Sequence, residues 1–159
     1  VLACLYGKRV YSYDQDYDYL SHLKSTKEIN KLDNMSITCK FVDKNYKIPK
    51  EIMSEKISVL KIDTNCQEAE IIKVFLPLKI PYIITKIFPK INNSYVDICR
   101  KMRSEGYNIY NIGLSNQREL NFNTHHLDTI KRLEIKYDNI EEYLKNIQHG
   151  QTNFLFVKT

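Results

Sequence analysis

The sequence predicts an α/β fold: a mostly parallel sheet with helices on both faces. Stretches rich in β-formers alternate with stretches of helical spacing from one end of the chain to the other. Segments such as Tyr82–Ile84 are apolar without a break, as in strands buried on both sides. The 159 residues are 43% apolar and 27% charged, which suits one folded domain with a core of ordinary size. Glycine and proline number four each, which excludes collagen-like and Gly-rich linker classes.

The elements follow in order. Lys8–Tyr13 reads as a short strand that ends in Asp14. Asp16–Lys31 has Tyr19, Leu20, Leu23 and Ile29 at helical spacing. Ser36–Val42 alternates and is β-rich, so it reads as a strand; Lys44–Lys50 is a polar loop. Ile57–Ile62 is a strand that ends at Asp63. Gln67–Phe75 is a helix with Ala69, Ile72 and Phe75 along one face, and Pro77 and Pro81 punctuate its end. Tyr82–Phe88 is a strand stopped by Pro89. Tyr95–Glu105 is a helix carrying Val96, Ile98, Cys99 and Met102, closed by Gly106 just past its end. Tyr107–Ile112 is a strand, and Leu114–Asn123 is polar and irregular. Thr124–Tyr137 is ambiguous, with a strand-like end at Leu133, Ile135 and Tyr137. Ile140–His149 is a short helix and Asn153–Val157 a terminal strand.

Twenty-four basic residues against 19 acidic ones give a net charge of +5. This excess suits a solvated surface and leaves nucleic-acid contact open. Arg100-Lys101-Met102-Arg103, the densest basic stretch, fits the outer face of its helix. No apolar run is long enough to cross a membrane as a helix. Cys4, Cys39, Cys66 and Cys99 are far apart and lie in apolar or element-edge contexts. They are expected to be buried free thiols in a reducing, intracellular compartment. The histidines are His22, His125, His126 and His149. Neighbouring side chains diverge on a helix or strand, so the 125–126 pair is a poor clamp and no metal site is expected. Val1–Leu5 has no basic segment before it and is not read as a signal peptide. The lack of an initiator Met suggests a fragment, a processed chain or a numbering that starts late.

Two segments carry a likeness. Val10-Tyr11-Ser12-Tyr13-Asp14 is a strand delivering an acid at its carboxyl end. A helix with Leu20 and Leu23 follows, then Asn30 and Asn34 before the next strand. Leu60-Lys61-Ile62-Asp63-Thr64-Asn65-Cys66-Gln67-Glu68 is a strand ending in Asp, then a helix opening with Glu. With Gly106-Tyr107 and Asn153-Phe154-Leu155-Phe156-Val157, these resemble the FkbM-type branch of class I S-adenosylmethionine-dependent methyltransferases over nearly the whole chain.

That resemblance implies a Rossmann-like sheet in which an acid ends the second strand and a Lys-Ile-Asp stretch ends the fourth. It implies S-adenosylmethionine as cofactor, with Asp14 binding its ribose and Asp63 and Glu68 as the catalytic acids lining the acceptor side. Open parallel sheets do bind ligands beyond the carboxyl ends of their strands. Asp63 would orient the acceptor, take up a proton or help hold a cation. On residue type alone, Asp14 also reads as a helix cap or turn residue, and Asp63 as a cap. Glu68 also reads as a first-turn acid favoured by the helix dipole.

The departures from the family are also legible. Its Gly-rich loop after the first strand has no counterpart, since Gly7, Gly106, Gly113 and Gly150 are scattered. Val1–Leu5 then reads as the end of the helix after that loop, and the sheet is expected to be incomplete at its N-terminal side. Lacking its first strand, it would split and expose two edges, to be filled by residues before Val1 or by a partner protein. Asn65 and Cys66 stand where the family has a small residue, and Lys86 where it usually has an acid. Two functions are therefore expected. One is O-methyl transfer to a small molecule or sugar by in-line attack. The other is a catalytically inactive scaffold subunit of a larger viral or ribonucleoprotein assembly.

Overall fold

The structure, a computed structural model, describes residues 3–4, 7–64, 67–88, 94–112, 140–146 and 152–159. The chain divides into two compact units, Val1–Asn45 and Tyr46–Thr159. Among the described residues their strands form two sheets, one of two strands and one of four.

In the smaller unit β1 (Val10–Asp14) pairs in parallel with β2 (Met35–Cys39), Val10 opposite Met35 and Asp14 opposite Cys39. Helix α1 (Tyr17–Ile29) connects them. Asp16 starts the helix: its side chain accepts from the backbone N–H groups of Asp18 and Tyr19 at 2.9 and 3.1 Å. Two of the donors that a helix start leaves without intrahelical partners are thereby satisfied. Leu20 is buried and Leu23 half-buried, whereas Tyr19 and Ile29 are exposed. The apolar stripe is thus narrower than the sequence spacing suggests. At about 3.6 residues per turn, Ile29 falls on the side opposite Leu20 and Tyr19 on the border. Cys4, Leu32 and Met35 form the core, with Val10, Leu23 and Ile37 packed against it. Asn34 clamps the entry to β1 by donating to the carbonyls of Cys4 and Gly7 at 2.7 and 2.8 Å.

In the larger unit the sheet order is β3 (Val59–Ile62), β4 (Tyr82–Ile87), β6 (Thr152–Lys158), β5 (Tyr107–Asn111). β3 and β4 are parallel; β6 is antiparallel to both β4 and β5. Three of the four strands therefore run the same way. Among the described residues the helices of this unit are α2 (Lys50–Met53), α3 (Glu68–Phe75), α4 (Ser94–Ser104) and α5 (Ile140–Lys145). A 3₁₀ turn, Leu76–Leu78, prolongs α3. Helix α4 packs between α3 and α5, and Tyr143 of α5 meets the Phe154 ring at 6.3 Å.

Burial alternates along the strands. Ile83, Thr85 and Ile87 of β4 are buried; they stand opposite Phe156, Phe154 and Thr152 of β6, which are buried too. Tyr82 is 47% exposed and Ile84 half-buried, so the expectation that Tyr82–Ile84 is buried on both sides is corrected. Helix α4 buries Ile98, Cys99 and Met102. It ends at Gly106, which adopts φ +77° and donates to the Arg103 carbonyl at 2.9 Å, as the sequence predicts.

Helix α2 was not legible as a helix; it follows Pro49 and buries Ile52. Cys4 and Cys99 are buried free thiols, but Cys39, expected to be buried, is exposed at the end of β2. Burial pushes the Cys99 thiol up to about 12, against the opposing charge of Arg103, so it stays protonated and unreactive. The expectations for Asn65, Cys66, Pro89, Gly113, Leu114–Asn123, Thr124–Tyr137, His149 and Gly150 lie outside the described residues.

Phe154→Ala is expected to lower the unfolding free energy by about 3–5 kcal/mol, since the side chain is fully buried and leaves a cavity. Ile29→Ala, at an 80% exposed site, is expected to change it by under about 0.5 kcal/mol. Denaturant unfolding of both variants checks this.

Candidate functional site

The three acids singled out from the sequence occupy three different environments. Asp14 is the last residue of β1, half-buried, in the smaller unit. Its Oδ1 accepts from the Asp16 N–H at 2.9 Å, which shapes the turn into α1. The helix cap itself is Asp16, so Asp14 is not the capping residue. Among the described residues its Oδ2 has no hydrogen-bond partner. One carboxylate oxygen at the carboxyl end of a parallel strand is therefore left able to accept from a hydroxyl.

Asp63 directly follows β3, in the larger unit. The parallel register sets Ile62 opposite Thr85, and one step further Asp63 meets Lys86 of β4. Lys86 Nζ lies 3.4 Å from Oδ1, and Lys61 Nζ donates to Oδ2 at 3.1 Å. Lys61 reaches it because residues two apart share a face of a strand. Partial burial pushes the Asp63 pKa up, but the Lys61 hydrogen bond and the charges of Lys61 and Lys86 outweigh it. The carboxyl is held below its ordinary value and is ionised at neutral pH. Lys86 also lies over the Phe88 ring, 5.5 Å from its centroid. Lys86, expected from the resemblance to stand in place of an acid, is thus paired with Asp63.

Glu68 opens α3 and is fully buried. Its Oε1 accepts from the Thr64 hydroxyl at 3.1 Å and its Oε2 from the Tyr95 hydroxyl at 2.5 Å. Both oxygens are engaged within the chain, and neither faces solvent. Sequence reasoning missed Thr64 and Tyr95. The first signal was a hydroxyl four residues before a glutamate at a helix start; the second partner is 27 residues away in sequence and left no local signal.

Asp63 and Glu68 thus stand at the two ends of the short segment joining β3 to α3, while Asp14 belongs to the other unit. No group of three or more His, Cys, Asp or Glu side chains among the described residues is placed to hold a metal ion. No described helix is long and apolar enough to cross a membrane.

No protein-family model matches the chain, and no curated protein matches it in sequence. Solved structures do. An rRNA methylase from Streptococcus thermophilus superposes with a TM-score of 0.62 at 11% identity, over 98% of this chain and 76% of that one. The METTL16 methyltransferase domain superposes with a TM-score of 0.55 at 14% identity, over 98% of this chain and 52% of that one. The fold is thereby that of the Rossmann-like class I methyltransferases.

The ion pairs predict a pH dependence. A carboxyl whose pKa folding lowers adds stability above its unfolded value, and that increment is lost as pH falls through the folded value. With Asp63 about half exposed, the increment is only about 0.2–1 kcal/mol. Lys86→Gln is expected to shrink the stability difference between pH 6 and pH 3, measured by denaturant unfolding at both.

Proposed function

We propose that the chain is an S-adenosylmethionine-dependent methyltransferase domain of FkbM type that transfers a methyl group to an acceptor oxygen. The observation that carries this reading is the Asp14 Oδ2, without a partner among the described residues, at the carboxyl end of β1 within a class I methyltransferase fold. That carboxylate fits a ribose: an oxygen held by a backbone N–H on one side and open on the other accepts from vicinal hydroxyls. The cofactor supplies an electrophilic methyl group on a sulfonium. Asp63 lines the acceptor side, where an ionised, doubly paired carboxylate orients a hydroxyl by accepting its proton in a hydrogen bond. Displacement at a methyl carbon depends on alignment and exclusion of water more than on a strong base.

Small molecules or sugars are the acceptors that the FkbM resemblance favours. The first structural neighbour is named as an rRNA methylase, and with the net charge of +5 this keeps a nucleic-acid acceptor as the alternative. A second reading, a methyltransferase fold kept as an inactive scaffold subunit of a larger assembly, draws on Lys86 in place of an acid and on the scattered glycines.

Calorimetric titration with S-adenosylmethionine separates the readings. The enzyme reading expects binding, weakened about ten- to a hundredfold by Asp14→Asn, which keeps an oxygen for the Asp16 N–H but loses the charge. No heat at high micromolar cofactor in a folded sample leaves the scaffold, and unchanged affinity in Asp14→Asn removes Asp14 from the ribose role.

A further inference from the structure

We infer that Glu68 is a positioning residue: through Thr64 it fixes the backbone that presents Asp63, and through Tyr95 it ties that backbone to α4. Its importance for methyl transfer rests on the reading above; its geometry does not.

Glu68 is fully buried with both oxygens hydrogen-bonded. Among the described residues no cation pairs with it, so the hydroxyls of Thr64 and Tyr95 and the start of α3 supply its compensation. A buried carboxyl of this kind tolerates little displacement, because loss of a partner leaves a desolvated acceptor unsatisfied. Thr64 adjoins Asp63 in the chain. The Thr64 hydroxyl to Glu68 Oε1 bond closes the segment from strand to helix from inside, and the two lysines hold Asp63 from outside. The side chain of Tyr95, on the first turn of α4, fixes the far end of the tie at 2.5 Å. Two oxygens of one residue at the start of α3 thus tie the residue pair Asp63-Thr64, just past β3, to α4. An apolar side chain would fill the same space but would not set the direction in which Thr64, and Asp63 beside it, must point.

The test is a carboxyl titration of Asp63 by ¹³C NMR on the whole chain, with the thermal midpoint measured alongside. Thr64→Val removes the hydroxyl and keeps the shape. In that variant the Asp63 midpoint is expected to rise by about half a pH unit, roughly threefold in its acid constant, as its lysine contacts loosen. Glu68→Gln is expected to leave the Asp63 midpoint at its original value, because hydroxyls accept as well as donate and both bonds can persist. An unchanged Asp63 midpoint in Thr64→Val would overturn the proposal, as would a rise in Glu68→Gln equal to that of Thr64→Val. A general loss of packing would lower the thermal midpoint without this pattern in the titration. Failure of the protein to bind S-adenosylmethionine would end the methyltransferase reading and leave the titration result standing.

Discussion

Strand β6 is the element on which the larger unit depends. Of the described strands it is bonded to both β4 and β5, running against each, and it brings Phe154 and Phe156 into the core as a T-shaped pair at 6.2 Å. Without it β5 would have no partner among those strands. The consequence reaches the candidate site. β6 fixes β4; β4 sets the register of β3; that register brings Asp63 to Lys86. A one-residue slip would turn every side chain of β3 to the other face, putting Ile62 outside and Lys61 in the core. Burial of Ile62 at one end of β3 therefore secures the charge arrangement just beyond it.

The three acids show how one functional group takes on different behaviour from its surroundings. Asp14 has one oxygen committed to a turn and the other uncommitted among the described residues. Asp63 is exposed and balanced between two ammonium groups, which fixes its charge state more firmly than its position. Glu68 is the reverse: burial and two hydroxyl donors fix its position. Residue type and spacing alone would assign all three the same kind of task.

Sequence reasoning located the elements because their periods are clean. The Ala69, Ile72, Phe75 stripe of α3 appears where expected, and β4 occupies the stretch read as a strand although its burial alternates instead of being continuous. Gly106 marks the end of α4 because its backbone conformation is one that few other residues adopt cheaply. The reading erred where the evidence was local but the outcome was not. Tyr19 and Ile29 look like parts of a stripe, yet only Leu20 and Leu23 meet the core. Cys39 looks buried because thiols usually are, but it ends a strand in the smaller sheet and is exposed. Tyr95 was illegible as a partner of Glu68 for the same reason: it meets Glu68 only once α3 and α4 have packed.

Lys86 stands where the FkbM-type proteins that the sequence resembles usually have an acid, and its geometry shows what that reversal does to Asp63. A second acid opposite Asp63 would repel it and raise its pKa, the arrangement by which one of two carboxylates becomes a proton acceptor near neutral pH. A lysine opposite Asp63 does the contrary and keeps the carboxylate ionised and weakly basic. A lysine at this position therefore leaves Asp63 a weak base and a fixed negative charge. The two lysines thus oppose strong proton abstraction at Asp63, whereas alignment-limited chemistry of the kind proposed above makes no such demand on it.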